Sequence, residues 1–222
     1  MRVFVAGATG ATGKVFVPLA TAARLDLRLH VRPKSAAKTA VAADPRARIF
    51  DLADVAALAE ALAGVDAVLS LVGTMQRRFA SGDTYESSDI LSTRQLVAGA
   101  VAAGVPTFVL LSSYGAGGGG AYLRMKGECE AIVQASGLSW AIARPSALVS
   151  PAGVEGTDGG RTVPWGVEAL GAALRSIPGL RGVADDVRPM PLEVLSRAMV
   201  AMLGEAGDRV VAGRGLWELG GA

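Results

Sequence analysis

The sequence predicts an α/β fold, a doubly wound parallel sheet with strand order 3-2-1-4-5-6 and a small C-terminal lobe. Three observations lead there. The apolar run Val3–Ala6 breaks into glycines at Gly7, Gly10 and Gly13, after which Val15, Phe16, Val17 and Leu19 resume an apolar pattern. Short strand-like runs then alternate, as far as Pro145, with helical patterns of roughly ten to fifteen residues, the grammar of parallel strands joined by crossover helices. The run 67–72 is almost wholly apolar, as suits a strand covered on both faces.

At 222 residues the chain fits one domain with a modest appendage, here a larger core over 1–150 and a smaller part over 151–222 packed on it. Net charge is only +2 and no basic run occurs, so nucleic-acid binding has no electrostatic support. The lone Cys129 excludes an internal disulfide and, with a single histidine, leaves no metal-ligand cluster. Met1–Ala6 is too short for the apolar region of a signal peptide, so the expected location is cytoplasmic. Gln95–Tyr122 is uncharged, but Gly104-Val-Pro106 and Ser112–Gly115 cut it into pieces too short to span a membrane. A monomer or homodimer acting on a small molecule is expected.

The first elements read as strand, tight glycine turn and helix. Gly7 allows a turn closed to a residue with a Cβ, Gly10 lets the backbone approach a pyrophosphate, and Gly13 lets the helix pack close to its strand. The backbone N–H groups of Thr9, Gly10, Ala11, Thr12 and Gly13, with the positive end of the helix dipole, would then face the phosphates. Strand two, Leu25–Val31, ends in Arg32-Pro-Lys34, where an NAD site normally places an acid; no acid stands between Asp26 and Asp44. Arginine suits the 2′-phosphate of NADP. At about 1.5 to 3 kcal/mol per charge-assisted bond, Arg32 with Lys34 would favour NADP over NAD by roughly a hundredfold. The alternative is ordinary surface charge on a solvated loop.

Arg48–Phe50 reads as strand three, followed by Asp51-Leu52 and a helix over Asp54–Ala63, of which Asp51 is a candidate N-cap. Ala67–Val72 is strand four, closed by Ser70–Thr74. Met75–Ser88, polar and containing Arg77, Arg78 and Tyr85, reads as a loop over cofactor or substrate, and Asp89–Ala103 as a helix. A helix stop at Gly104 leads into strand five with the polar tip Ser112-Ser113, then a helix over Tyr122–Ser136 and strand six at Ser139–Pro145. In the C-terminal part, 151–191 reads as substrate-facing with a helix near Val167–Ser176, Val194–Leu203 as a helix, and Asp208–Ala212 and Leu216–Leu219 as closing strands.

Function in such sheets sits at the carboxyl ends of the strands. There stand Ser113 and, on the next helix, Tyr122 and Lys126, which share a face at four-residue spacing. A phenol is a poor proton carrier at neutral pH, and a neighbouring ammonium stabilises its phenolate. Serine would hold a substrate oxygen while tyrosine passes the proton.

The Gly7, Gly10, Gly13 spacing resembles the extended and atypical branches of the short-chain dehydrogenase/reductase superfamily. The run Lys126-Gly-Glu-Cys-Glu130, then Ser136-Gly-Leu-Ser-Trp140 and Arg144-Pro145-Ser146, closely resembles its atypical members with an NAD(P)H-binding domain, NmrA-like proteins among them. The resemblance covers about residues 1 to 150. It implies a Rossmann core and a catalytic serine at Ser113, with Ser112 the alternative. It also implies Asp51 and Leu52 against adenine, Leu71, Val72 and Gly73 beside the adenosine ribose, Ser112, Pro145 and Ser146 along the nicotinamide half, and Lys126 on the nicotinamide ribose. The segment Tyr114–Ala121 between serine and tyrosine departs from the family in being short and glycine-rich. The implied function is NADP(H)-dependent oxidoreduction of a small carbonyl, quinone or conjugated compound. Alternatives are a non-catalytic NADP(H)-binding sensor or assembly factor and, against the short chain and Arg32, a nucleotide-sugar epimerase or dehydratase with bound NAD.

Overall fold

The computed structural model describes residues 1–73, 82, 84–150, 181–205 and 207–221. The strands β1 (Arg2–Ala6), β2 (Asp26–Val31), β3 (Ala47–Ile49), β4 (Ala67–Ser70), β5 (Thr107–Leu111) and β6 (Ser139–Arg144) alternate with helices α1 (Ala11–Ala22), α2 (Pro33–Ala36), α3 (Val55–Leu62), α4 (Leu91–Ala102) and α5 (Ala121–Gln134). Then follow β7 (Leu148–Val149), α6 (Arg181–Asp186), β8 (Met190–Pro191), α7 (Leu192–Gly204), β9 (Arg209–Ala212) and α8 (Gly213–Leu219). The main sheet is parallel throughout, in the order β3-β2-β1-β4-β5-β6-β9. This is the doubly wound, Rossmann-like sheet that the sequence predicts, with β9 added as a seventh strand.

Residue alternation along the strands divides the core into two layers. Val3, Val5, Leu27, Leu29, Leu69 and Val109 pack with Phe16 of α1, Leu195 and Met199 of α7 and Leu216 of α8. Phe4, Val68, Phe108, Leu110 and Ile142 point the other way, onto Leu58 and Leu62 of α3, Leu96 of α4 and Val133 of α5. Because β1 pairs in register with both neighbours, Val3 opposite Leu27 and Ala67, the carboxyl ends of β2, β1 and β4 lie side by side and present one edge. The pair β7–β8, with Leu148 opposite Met190, ties the chain after β6 to the start of α7.

Three expectations change. Leu216–Leu219 is part of helix α8, not a strand: Leu216 and Leu219 sit three apart and both join the core layer of α1 and α7, a spacing that a short apolar run does not distinguish from a strand. Asp51 is not the N-cap of α3; Asp54 is, its carboxylate accepting from Ala57 N at 3.0 Å, while Asp51 accepts from Ala53 N at 2.9 Å in a local turn. The end of the expected 75–88 loop, and the Asp89 start of the following helix, form one π-helical turn, Tyr85–Ile90, leading into α4. The Val167–Ser176 helix, with most of 75–88 and 151–191, lies outside the described residues.

Candidate functional site

The turn after β1 shows why glycine is needed there. Gly7 has φ +88°, and a Cβ on it would lie 2.8 Å from the Leu71 carbonyl carbon; a Cβ on Gly13 would lie 2.5 Å from Ala8 O. Gly10, the N-cap of helix α1, has no side chain to cap it, so among the described residues no capping side chain takes up the helix's first N–H groups. A crevice opens above this end. Gly7, Thr9 and Gly10 line it, with His30 from β2 and Arg32 just after it, Leu52 after β3, Leu71, Val72 and Gly73 after β4, and Ser88 and Ser92. A backbone cradle closed to any Cβ, an uncapped helix end and an arginine in the wall fit the pyrophosphate and adenosine half of a dinucleotide.

Of the other expected cofactor residues, Gly13 serves the packing of α1 on β1, and Ala11 and Thr12 form its partly exposed first turn. Lys34 and Asp51 are exposed and not among the crevice lining. His30 escaped the sequence reading. Its ring is buried against Phe50 at 4.8 Å between centroids, and Nε2 lies 3.0 Å from Phe50 O. Burial pushes its pKa down, against the opposing effect of that hydrogen bond.

A second cavity, ≈ 420 Å³, adjoins the ends of β5 and β6 and is lined by Ser112, Ser113, Tyr114, Tyr122, Pro145, Ser146, Ala147, Leu148 and Val187. That is room for a small organic substrate. Ser113 and Tyr122 therefore face one space. The glycine-rich segment folds back to bring them there: Gly115, Gly117 and Gly120 all have positive φ, Gly117 N donates to Leu123 O at 2.8 Å, and a Cβ on Gly127 would lie 2.7 Å from the Gly117 Cα.

Lys126, one turn after Tyr122, is buried between the two spaces. Its Nζ lies 5.9 Å from the Tyr122 ring centroid, 3.4 Å from Leu111 O, 3.5 Å from Val72 O and 3.7 Å from the Asp89 carboxylate. One further turn along α5, Glu130 accepts hydrogen bonds from Ser112 Oγ and from Arg144 through Nε at 2.9 Å and through Nη2. That pairing raises the Arg144 pKa, and it commits the Ser112 hydroxyl to Glu130, while Ser113 makes a 3.4 Å contact to Tyr114 O. Burial pushes the Cys129 thiol up, away from reactivity. Asp89, Glu130 and Arg144 were not singled out as site residues in the sequence; the one local signal is a charged residue on the buried side of an element, a helical turn for Asp89 and Glu130 and the end of β6 for Arg144. Among the described residues no group of acids, histidine and cysteine is placed to hold a metal ion, and no helix is long and apolar enough to cross a membrane.

Solved structures share this fold. The dTDP-glucose 4,6-dehydratase DesIV of Streptomyces venezuelae, a double mutant crystallised with NAD, superposes with a TM-score of 0.66 at 21% identity, over 100% of this chain and 79% of that one. UDP-N-acetylglucosamine 4-epimerase from Bacillus cereus gives 0.67 at 13% identity, over 96% and 79%. A short-chain dehydrogenase/reductase superfamily protein from Agrobacterium tumefaciens with bound NAD gives 0.66 at 17% identity, over 93% and 76%. At these identities the likeness is one of fold. No curated protein sequence matches the chain. A family model described as NAD(P)H-binding matches residues 7–164, from the first glycine of the turn to beyond β7, and the chain belongs to that NAD(P)H-binding family.

Proposed function

We propose that the protein is an NADP(H)-dependent oxidoreductase acting on a small carbonyl, quinone or conjugated substrate. The observation that supports this most is the shared cavity of Ser113 and Tyr122, with Lys126 buried between it and the dinucleotide crevice. The nicotinamide, when bound, supplies or takes up a hydride. The chain's own residues do the rest. Ser113 holds the substrate oxygen, the Tyr122 hydroxyl gives or takes the proton at that oxygen, and the Lys126 ammonium favours the phenolate form during transfer. Arg32 in the crevice wall supports NADP over NAD.

Two measurements test this. Tyr122→Phe should leave NADPH binding intact and lower turnover about a hundredfold or more in assays with a panel of quinones and carbonyls; unchanged turnover removes Tyr122 from the chemistry. Fluorescence titration should show NADPH binding more tightly than NADH, with Arg32→Ala cutting the preference by about tenfold to a hundredfold. A preference for NADH would reverse the role of Arg32.

A second reading is a non-catalytic NADP(H) sensor or assembly factor. It is favoured by the Asp89 carboxylate beside Lys126, which offsets the ammonium's field at the phenol. NADPH binding without turnover of any acceptor would select it.

A further inference from the structure

We infer that Asp89 is a positioning residue for Lys126, holding its ammonium at the boundary between crevice and cavity so that it can serve the nicotinamide ribose. The inference rests on the cofactor reading above. Lys126 is 4% exposed and Asp89 2%. An ammonium this deep is stable only beside an opposite charge, and Asp89 supplies one. The distances from Nζ, 3.4 and 3.5 Å to the Leu111 and Val72 carbonyls and 3.7 Å to Asp89, all exceed the length of a well-formed N–H···O bond, about 2.9 Å. Among the described residues the ammonium is confined without being saturated, and a ligand oxygen can take up its remaining capacity. It also sits directly behind the crevice wall, since a Cβ on Gly73 would lie 3.7 Å from Nζ, and Val72 and Gly73 line the crevice.

The local structure that delivers Asp89 is specific. Thr84 and Ser87 cap each other's backbone N–H groups, and the wide turn Tyr85–Ile90 that follows is a rare helical form that recurs at functional sites. This turn and the start of α4 put Ser88 and Ser92 in the crevice lining, Asp89 against Lys126, and the Tyr85 ring 6.0 Å from that of Tyr122. Thr93 Oγ1 donates to Asp89 O at 2.8 Å and fixes the junction with α4.

The test compares two ligands. NADPH spans both halves of the proposed site, whereas 2′,5′-ADP reaches only the adenosine half. Titrated against each, Asp89→Asn should lose about tenfold or more in NADPH affinity, a loss on the scale of one charge-assisted bond, and keep its affinity for 2′,5′-ADP within about twofold. Equal losses for both ligands, or none for either, overturn the inference, because a purely structural residue does not split them. Should Asp89→Asn fail to fold, Lys126→Met and the double variant Asp89→Asn/Lys126→Met, which leaves neither charge of the pair behind, decide the matter. If Asp89 acts through Lys126, the two lose the same factor for NADPH; a further tenfold loss in the double variant overturns it. Wild-type protein that binds neither ligand would refute the cofactor reading itself, and this inference with it.

Discussion

Helix α5 carries two buried acid–base pairs one turn apart, Glu130 with Arg144 and Lys126 with Asp89, and they are built on opposite principles. Glu130 is saturated: both its oxygens accept from the planar Arg144 fork, and one also accepts from Ser112. Lys126 has its polar partners among the described residues at 3.4 to 3.7 Å. The first pair locks α5 to the ends of β5 and β6, the strands that present Ser113 and Pro145–Ser146, and leaves little for a ligand to exploit. The second is confined but open. The same helix thus has a turn that serves architecture beside a turn available for binding.

The largest effect should come from breaking the closed pair. Glu130→Ala strands a guanidinium and the Ser112 hydroxyl, and removing one partner of a buried pair costs about 3 to 5 kcal/mol. Arg144 keeps 30% of its side chain exposed and can partly resolvate, so about 3 kcal/mol is expected, read as a lower urea midpoint at unchanged slope. A loss under about 1 kcal/mol would place this pair with weak surface bridges and abolish the contrast.

The open pair should behave differently. Asp89→Asn/Lys126→Met removes both charges at once, so the desolvation each suffered no longer opposes folding, and stability should change by less than about 1 kcal/mol in either direction. Chemical denaturation at pH 7 measures it. A loss as large as that of Glu130→Ala would make the 3.7 Å pair as structural as its neighbour.

What could be read from the sequence follows the range of the interactions. The glycine turn, the six alternating strands and the Tyr122/Lys126 face rest on residues within a few positions of each other, and local spacing reveals them. The alternation announces a doubly wound parallel sheet, the order of its first six strands follows from the likeness to Rossmann-type proteins, and β9 reads as a strand in its own right. The partners that decide how Lys126 and Ser112 are used lie far away in the chain: Asp89 meets Lys126 across 37 residues, and Glu130 meets Ser112 from 18 residues on. No periodicity reports such pairings. A regular 3.6-residue pattern also cannot register the wider turn at Tyr85–Ile90 that orients Asp89. At the C-terminus, Leu216–Leu219 was too short an apolar run to separate helix from strand.

The smallest effect sharpens the contrast from a third side, since His30 is a buried ionisable group with no ion pair among the described residues. Burial of its ring against Phe4 and Phe50 favours the neutral imidazole and lowers its pKa, against the opposing hydrogen bond to the Phe50 carbonyl. The nearby Arg32 lowers it further, and Asp51 opposes. With a folded-state value below the unfolded value of about 6.5, the native state binds fewer protons than the unfolded chain. Stability is therefore constant above about pH 7 and falls as pH drops through the folded value. The carboxylates Asp26 and Asp44, held low by hydrogen bonds from Arg2 and Arg46, lose their contributions only below about pH 4, so the window between pH 5 and 7 belongs largely to His30. Because the chain has one histidine, a single imidazole proton resonance follows the titration directly, and His30→Phe should flatten stability across that window. His30 and Arg32 line the same crevice, so saturating 2′,5′-ADP should move the midpoint upward as the phosphate's negative charge stabilises imidazolium. A midpoint above 6.5 in the free protein would show that burial does not govern this group; a midpoint indifferent to 2′,5′-ADP would separate His30 from the phosphate end of the crevice.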